Sequence, residues 1–281
     1  MIGVTIARVL PSLYKAASKT HGANVDAEVL SRTSTLNTFY FSFSKSTWAP
    51  LDYDDPVTRF LYAYKYIAGH ADVISKLLAE VWSDFKPDFL RNDPLDVCCV
   101  GGGPGTDMLG VAAFLDSQKR LSPELVRFAI LEKEQAWAPL AEAIADALPK
   151  SRDYELDFLP SDATTALSGD CEGALGNADI VIMSFLISEI ATLSPEQYLA
   201  QVIKSIRTGC IILITDIGTP EMKPVLDSLS SLSRTELLAS EDLREFRFAR
   251  IDKDFEPYLT RLNHHYPKSN PKVAYRVLRK V

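Results

Sequence analysis

"DVCCVGGGPGTDMLG", residues 96–110, decides how this chain is read. A run of small apolar residues ends in Gly101, Gly102 and Gly103. Pro104, Gly105 and a Thr–Asp pair follow, and then an apolar helical run begins. Glycines after a strand let the backbone turn sharply and let a ligand approach with no Cβ in the way. In a doubly wound sheet, the loop after the first strand lies at the carboxyl edge, where ligands bind at the topological switch point. The dinucleotide fingerprint G-x-G-x-x-G is excluded by its frame: counted from Gly101 the last position is Thr106, and counted from Gly103 it is Met108. The spacing present is G-x-G-x-G, through Gly101, Gly103 and Gly105.

Around this stretch the chain divides in two. From residue 95 onward, short β-rich runs alternate with amphipathic helices. "LDVCCVG", "RFAILEK", "YELDFL", "ADIVIMSF" and "CIILITDIG" read as strands, and "DMLGVAAFLDSQK", "AWAPLAEAIADAL" and "SPEQYLAQVIKSI" as the helices between them. The first, fourth and fifth strands are nearly continuous apolar runs, as required when helices cover both faces of a parallel sheet. The pattern predicts an α/β fold with a doubly wound, mostly parallel sheet over residues 91–281. Beyond residue 220 the pattern loosens, and "KVAYRVLRKV" alternates well enough for a closing strand.

Residues 1–90 read instead as a helical extension or cover. Apolar residues at Phe60, Leu61, Tyr64, Ile67, Val73, Ile74, Leu77, Leu78 and Val81 have helical spacing, with Gly69 expected to divide them into two helices. Pro11 is expected to interrupt the first helix. The basic, acid-poor start, with Arg8, Lys15 and Lys19, reads as an ordinary structural helix; a targeting presequence is the alternative.

Composition bounds the function. A chain of 281 residues that is 47% hydrophobic, with a formal net charge of −7, describes a soluble globular protein with one large core and an extension, or two modest domains. No apolar stretch approaches the ~20 residues of a membrane-spanning helix. The acidic balance disfavours broad electrostatic binding of nucleic acid and leaves room only for a local basic face. Cys98, Cys99, Cys171 and Cys210 show no metal-ligand spacing and read as reduced, buried thiols of an intracellular protein. No metal site is expected. The cytoplasm is the expected compartment, with nucleus and mitochondrion the alternatives.

With its G-x-G-x-G spacing and an acid closing the second strand, residues 95–217 resemble the class I S-adenosylmethionine-dependent methyltransferases. The resemblance implies S-adenosylmethionine as cofactor, held at Gly101, Gly102, Gly103 and Gly105. It gives the ribose hydroxyls to Glu132 in "FAILEKE", with Glu134 close enough to confuse the assignment. It gives the adenine amino group to Asp162 in "LPSDATT", with Ala163 beside it; Asp162 also suits a plain turn cap. It places the transferred methyl over "MSFLISE", where Ser184 borders both cofactor and chemistry. The chain departs from the pattern at one point. Cys99 stands where the family usually has an acid two residues before the first glycine, and Asp107 is the candidate to take that acid's place. The same departure feeds the alternative reading, a catalytically silent relative that serves as a cofactor sensor or protein-binding scaffold.

Methyl transfer from a sulfonium is an in-line displacement, so the protein must position the nucleophile and, where needed, remove its proton. The candidates after the fourth strand are Ser184, Ser188 and Glu189, with Asp216 after the fifth; Glu189 and Ser184 are the expected catalytic pair. His264 and His265 in "LNHHYPKSNP" read as a solvated pair in a Pro-rich turn. No N/D-P-P-Y/F run is present, which disfavours amino methyltransferases acting on bases or glutamine. Tyr53, Tyr62, Tyr64 and Tyr66, with Trp48 and Phe39–Phe43, read either as an aromatic cover over an acceptor pocket or as helix packing. Trp137 has the same two readings, over the cofactor's base or against the sheet. The terminal Lys268, Lys272, Arg276, Arg279 and Lys280 read as a solvated strand edge defended by basic residues, with a modest basic patch that meets phosphate as the alternative. The acceptor is an N or O atom of a small molecule, RNA or protein; which of these, and the oligomeric state, are not specified at this level.

Overall fold

The computed structural model describes residues 1–41, 51–91, 93–118, 121, 123–193, 196–231, 234–248 and 252–281. Trp48 and Phe43 of the expected aromatic cover lie outside these residues. The chain opens with helices α1 (Ile2–His21), α2 (Val25–Phe41) and α3 (Pro56–Tyr62). A π-helical segment, Ala63–Ile67, follows and runs directly into α4 (Ala68–Phe85). Asp55 starts α3 by accepting the Thr58 N–H at 2.8 Å, and Pro56 fills the first helical position.

Two expected breaks are absent. α1 continues through Pro11. Ile6, Val9, Leu10 and Ala17 form one buried stripe along it, and that packing outweighs the roughly 3 kcal/mol an interior proline costs. Gly69 lies inside α4 as its second residue, two residues after the π-helical segment. Its missing side chain serves contact instead, since a Cβ there would sit 2.5 Å from the Lys268 carbonyl oxygen.

The sheet is assembled from β1 (Leu95–Val100), α5 (Thr106–Ser117), β2 (Leu125–Glu132), α6 (Ala138–Ala147), β3 (Asp153–Pro160), α7 (Gly169–Asn177) and β4 (Ile180–Ser184). There follow α8 (Leu186–Ile190), α9 (Glu196–Ser205), β5 (Ile211–Ile217), α10 (Met222–Ser230), β6 (Thr235–Glu245), α11 (Asp252–Arg261) and β7 (Lys272–Lys280). Strand order is β3-β2-β1-β4-β5-β7-β6, parallel except for β7, which runs against both neighbours. The order reverses between β1 and β4, so the glycine loop after β1 leaves the sheet at the switch point.

Alternation along each strand divides the apolar residues between two cores. Val97 and Cys99 of β1, Phe128 and Ile130 of β2, and Ile180 and Ile182 of β4 face the layer built from α1, α3, α4, α5 and α6. Cys98, Val100, Val181 and Met183 face the layer of α7, α9 and α10. The amino-terminal helices thus share a core with the sheet. At Gly110 of α5 a Cβ would meet the Ile74 Cβ at 2.7 Å and the Ala71 carbonyl oxygen at 2.8 Å, so α4 and α5 cross in close contact.

The loosened pattern after residue 220 hides α10, β6 and α11, and with them the place of the last strand. β7 is inserted between β5 and β6 and is not an edge. Arg276 is 2% exposed and donates to both Asp227 and Asp242 at 2.6 Å. Lys280 donates to the Ile203 carbonyl at 2.7 Å, and Arg279 reaches Glu236 at 3.3 Å. The expected solvated basic edge is therefore corrected for Arg276, Arg279 and Lys280, which strand insertion has drawn into ion pairs and a buried hydrogen bond, while Lys272 is exposed. All four cysteines are buried and free. Among the described residues no helix is long and apolar enough to cross a membrane, and no His/Cys/Asp/Glu group is arranged to hold a metal ion.

Candidate active site

The loop after β1 is shaped by glycines in the left-handed region: φ is 66° at Gly101, 50° at Gly103 and 85° at Gly105. The Gly101 N–H donates to the Leu131 carbonyl at 2.7 Å, which binds the loop to the end of β2. Gly102 covers Cys99, and a Cβ on it would lie 2.8 Å from the Cys99 Cβ. In front of Gly103 the space is open, with only Glu132 Oε2 at 4.0 Å from a built Cβ.

Glu132 closes β2 against this loop. Its Oε2 accepts the Gly103 N–H and its Oε1 the Glu134 N–H, both at 2.9 Å. Burial raises its carboxyl above the usual range, opposed by these N–H donors. The two candidate acids are thereby distinguished: Glu132 meets the glycine loop, and Glu134 contributes its backbone to Glu132.

Asp107, in the first turn of α5, is fully buried. Its Oδ1 accepts the Ser184 hydroxyl from the end of β4, while its Oδ2 has no hydrogen-bond partner among the described residues. Burial pushes this carboxyl up to about 7, against the lowering effect of Ser184. Cys99 is close enough that, after burial, the Asp107 charge is the next cause raising its thiol pKa. A carboxylate missing from position 99 is thus present beside it, contributed by the helix. Ser184, expected as a catalytic hydroxyl, is engaged with Asp107.

Beyond Ser184 the chain turns through Phe185, whose φ of 55° is left-handed, and enters α8. Asp216 holds that turn: its Oδ2 accepts the Ser188 N–H at 2.9 Å, and its Oδ1 the Ile217 N–H at 2.7 Å. Burial pushes Asp216 up to about 6 despite these donors. Ser188 and Asp216 therefore build the loop after β4, and Glu189 lies exposed on α8. Asp162 lies beyond β3, whose Pro160 pairs in register with Glu132. It accepts the Thr164 N–H at 2.8 Å and the Lys133 ammonium at 3.3 Å, and the Thr164 N–H is the main cause holding it below the usual carboxylate range. In these contacts Asp162 is a turn cap, with Ala163 half-buried beside it.

A row of rings from the amino-terminal helices covers this edge. Trp137 packs against Tyr53 (4.9 Å between centroids) and Tyr62 (5.2 Å) and is buried in the core cluster it shares with the sheet, in line with its packing reading. Tyr62 continues to Tyr66 at 5.6 Å, Tyr66 to His70 at 5.7 Å, and His70 stacks on Phe185 at 3.8 Å. Desolvation, and then the charges of Glu189, Asp107 and Glu132, push the Tyr62 phenol well above its usual value. This hydroxyl of the cover thus senses the charges of acids from α8, α5 and the end of β2.

Tyr64 departs from the expected cluster. Being two residues from Tyr62 on a helical segment, it turns away to stack on Phe60 and donates to the His265 carbonyl at 2.7 Å. His264 and His265 are exposed, as read. His70 was not singled out from sequence, although its i+4 spacing from Tyr66 and i+8 spacing from Tyr62 marked it. It is buried and neutral, its pKa pushed well below the usual value by desolvation and then by the Lys268 charge.

Neither a protein-family model nor a curated protein matches the sequence. Among solved structures, a protein of Listeria monocytogenes assigned to the class I S-adenosylmethionine-dependent methyltransferases aligns with 100% of this chain and 88% of its own, at TM-score 0.50 and 11% identity. The fold is that of the class I methyltransferases. Two further structures align less closely. The magnesium protoporphyrin IX methyltransferase of Synechocystis PCC 6803, solved with bound S-adenosylmethionine, gives TM-score 0.46 and 12% identity over 88% of this chain and 96% of that one. A methyltransferase of Methanosarcina mazei gives TM-score 0.47 and 12% identity over 68% of this chain and 94% of that one. At such identities the likeness to the class I proteins is one of fold.

Proposed function

We propose that the chain transfers a methyl group from S-adenosylmethionine to an acceptor bound between α8 and the ring row of Tyr62, Tyr66 and His70. The observation that carries this reading is the Gly103–Glu132 hydrogen bond, which sets a carboxylate beside an open glycine loop at the switch point. The residues fit the cofactor. Glu132 suits a pair of ribose hydroxyls. Asp107 Oδ2, buried and unpartnered among the described residues, suits an ammonium group. Asp162 and Ala163 border the position of the base. When bound, the cofactor supplies a methyl carbon already made electrophilic by its sulfonium.

What remains for the protein is positioning and proton removal. Ser184 orients Asp107, and Asp216 orients the α8 turn through Ser188. Glu189 faces the acceptor side, where it orients an amine or hydroxyl and accepts its proton. The Tyr62 phenol is held neutral by its surroundings and acts as a hydrogen-bond donor among the three carboxylates.

Titration calorimetry with S-adenosylhomocysteine tests the reading. Replacing Glu132 by Ala removes charge-assisted bonds and should weaken binding by about 1.5–3 kcal/mol. NAD should show no saturable heat. Unchanged affinity in Glu132→Ala would overturn either the assignment of this acid or the ligand.

A further inference from the structure

Among the described residues, Lys86, Arg234, Asn263 and His264 have a left-handed backbone without being glycine, and all of them are exposed and polar. Phe185 shares that conformation, with φ 55° and ψ 18°, yet it is 8% exposed, at the junction of β4 and α8. A Cβ makes this conformation costly, most of all under a bulky side chain, whereas glycine adopts it freely. The neighbouring loop uses Gly101, Gly103 and Gly105 for the same purpose. At position 185 the turn is built with a ring instead, so contacts of that residue must hold it. Its N–H donates to the Thr215 carbonyl at 2.8 Å, and its carbonyl accepts the Ser188 hydroxyl at 3.4 Å. Its ring stacks on His70 of α4, with 3.8 Å between centroids and 17° between planes. The two backbone contacts are available to any residue; the stack is what the side chain adds.

The direction of this turn sets the groups on either side of it. Before it, Ser184 donates to Asp107. After it, Leu186 closes on the glycine loop, where a Cβ added to Gly101 would lie 2.6 Å from the Leu186 Cδ1. Further on, the Ser188 N–H is bound to Asp216 at 2.9 Å. An extended or right-handed Phe185 would redirect the chain and carry Leu186 and α8 away from Gly101. We infer that Phe185 is a positioning residue for the glycine loop: its stack on His70 holds the turn left-handed, and through that turn the amino-terminal layer fixes Leu186 on Gly101 and Ser184 on Asp107. The consequence for ligand binding rests on the cofactor reading proposed above; the hold on the turn does not.

The test uses the full chain, with urea midpoints establishing that each variant is folded. Hydrogen–deuterium exchange of the ligand-free protein reads the turn, and calorimetry with S-adenosylhomocysteine reads its consequence. Phe185→Ala and His70→Ala remove the stack and should speed exchange of the Phe185 and Ser188 amides at least tenfold. Both should weaken S-adenosylhomocysteine at least fivefold. His70→Phe keeps a ring face and should stay within about twofold of wild type in both measurements. Phe185→Gly loses the ring but adopts the turn freely, and should bind S-adenosylhomocysteine at least threefold more tightly than Phe185→Ala. A side chain that only fills the core would lower the urea midpoint and leave affinity at the wild-type value; that result in both alanine variants overturns the inference. So does Phe185→Gly binding no more tightly than Phe185→Ala. Should the Phe185 variants unfold, the contrast between His70→Ala and His70→Phe decides it: equal affinity and equal exchange in the two overturn the inference. Faster exchange in the alanine variants of a chain that does not bind S-adenosylhomocysteine supports the hold on the turn and overturns the cofactor reading instead.

Discussion

Asp107 joins burial and charge in one side chain. Its carboxyl is pushed up to about 7 by desolvation, and Asp216 to about 6 by the same cause. Unfolded aspartates titrate near 3.9, so folding takes up protons between about pH 4 and pH 7. Both pKa values are raised in the folded state. The stability they contribute is therefore fully present below about pH 4 and is lost as pH rises through 6 and 7. Urea denaturation of the ligand-free chain should show stability falling from pH 5 to pH 8. In Asp107→Asn the fall between about pH 6 and pH 7 should disappear and the fall below pH 6 should become shallower, leaving the part due to Asp216. An unaltered pH profile in that variant would show that Asp107 is solvated in solution.

At the scale of elements, close approaches decide more than propensities. α4 and α5 cross at Gly110, where a Cβ would meet Ile74 and the Ala71 carbonyl below 3 Å. Gly110→Ala should raise intrinsic helix propensity yet destabilise the fold by about 1–3 kcal/mol through overpacking, read as a lower urea midpoint. A higher midpoint would mean the helices separate without cost. α8 carries a different prediction. Its turn is held by Asp216 through the Ser188 N–H, and Glu189 is exposed on it. Glu189→Lys should abolish turnover on an acceptor found with radiolabelled methyl, while S-adenosylhomocysteine affinity stays within a few-fold. Loss of both together would place Glu189 in the cofactor site.

The whole molecule depends on its amino-terminal layer. Ile6, Leu10, Phe60, Leu61, Ile67 and Ile74 are buried in the same cluster as Val97, Phe128 and Ile182 of the sheet. Removing residues 1–94 would expose that face of the sheet, an apolar surface far larger than a monomer tolerates. A chain beginning at Leu95 should be insoluble or should bind ANS and lack a cooperative thermal transition. If it unfolds as cooperatively as the full chain, residues 1–90 are an appendage and the acceptor pocket must be built without them.

The sequence by itself determined the sheet and its ligand edge. The apolar runs of β1, β4 and β5 and the frame of Gly101, Gly103 and Gly105 are local patterns, set by strand periodicity and by the conformations only glycine adopts freely. Glu132 came from the resemblance, as the acid that closes the second strand, and the structure sets it against the Gly103 N–H. Tertiary structure decided what depends on neighbours distant in sequence. Pro11 is carried by a buried stripe, and Gly69 meets Lys268. Tyr64 turns away from Tyr62, and Arg276 on an apparent edge finds Asp227 and Asp242 inside the sheet. Above all, it set Asp107 beside Cys99 and brought Tyr62 to Glu132 and Glu189. Those encounters join segments that only the packed sheet brings within reach, and periodicity along one chain carries no record of them.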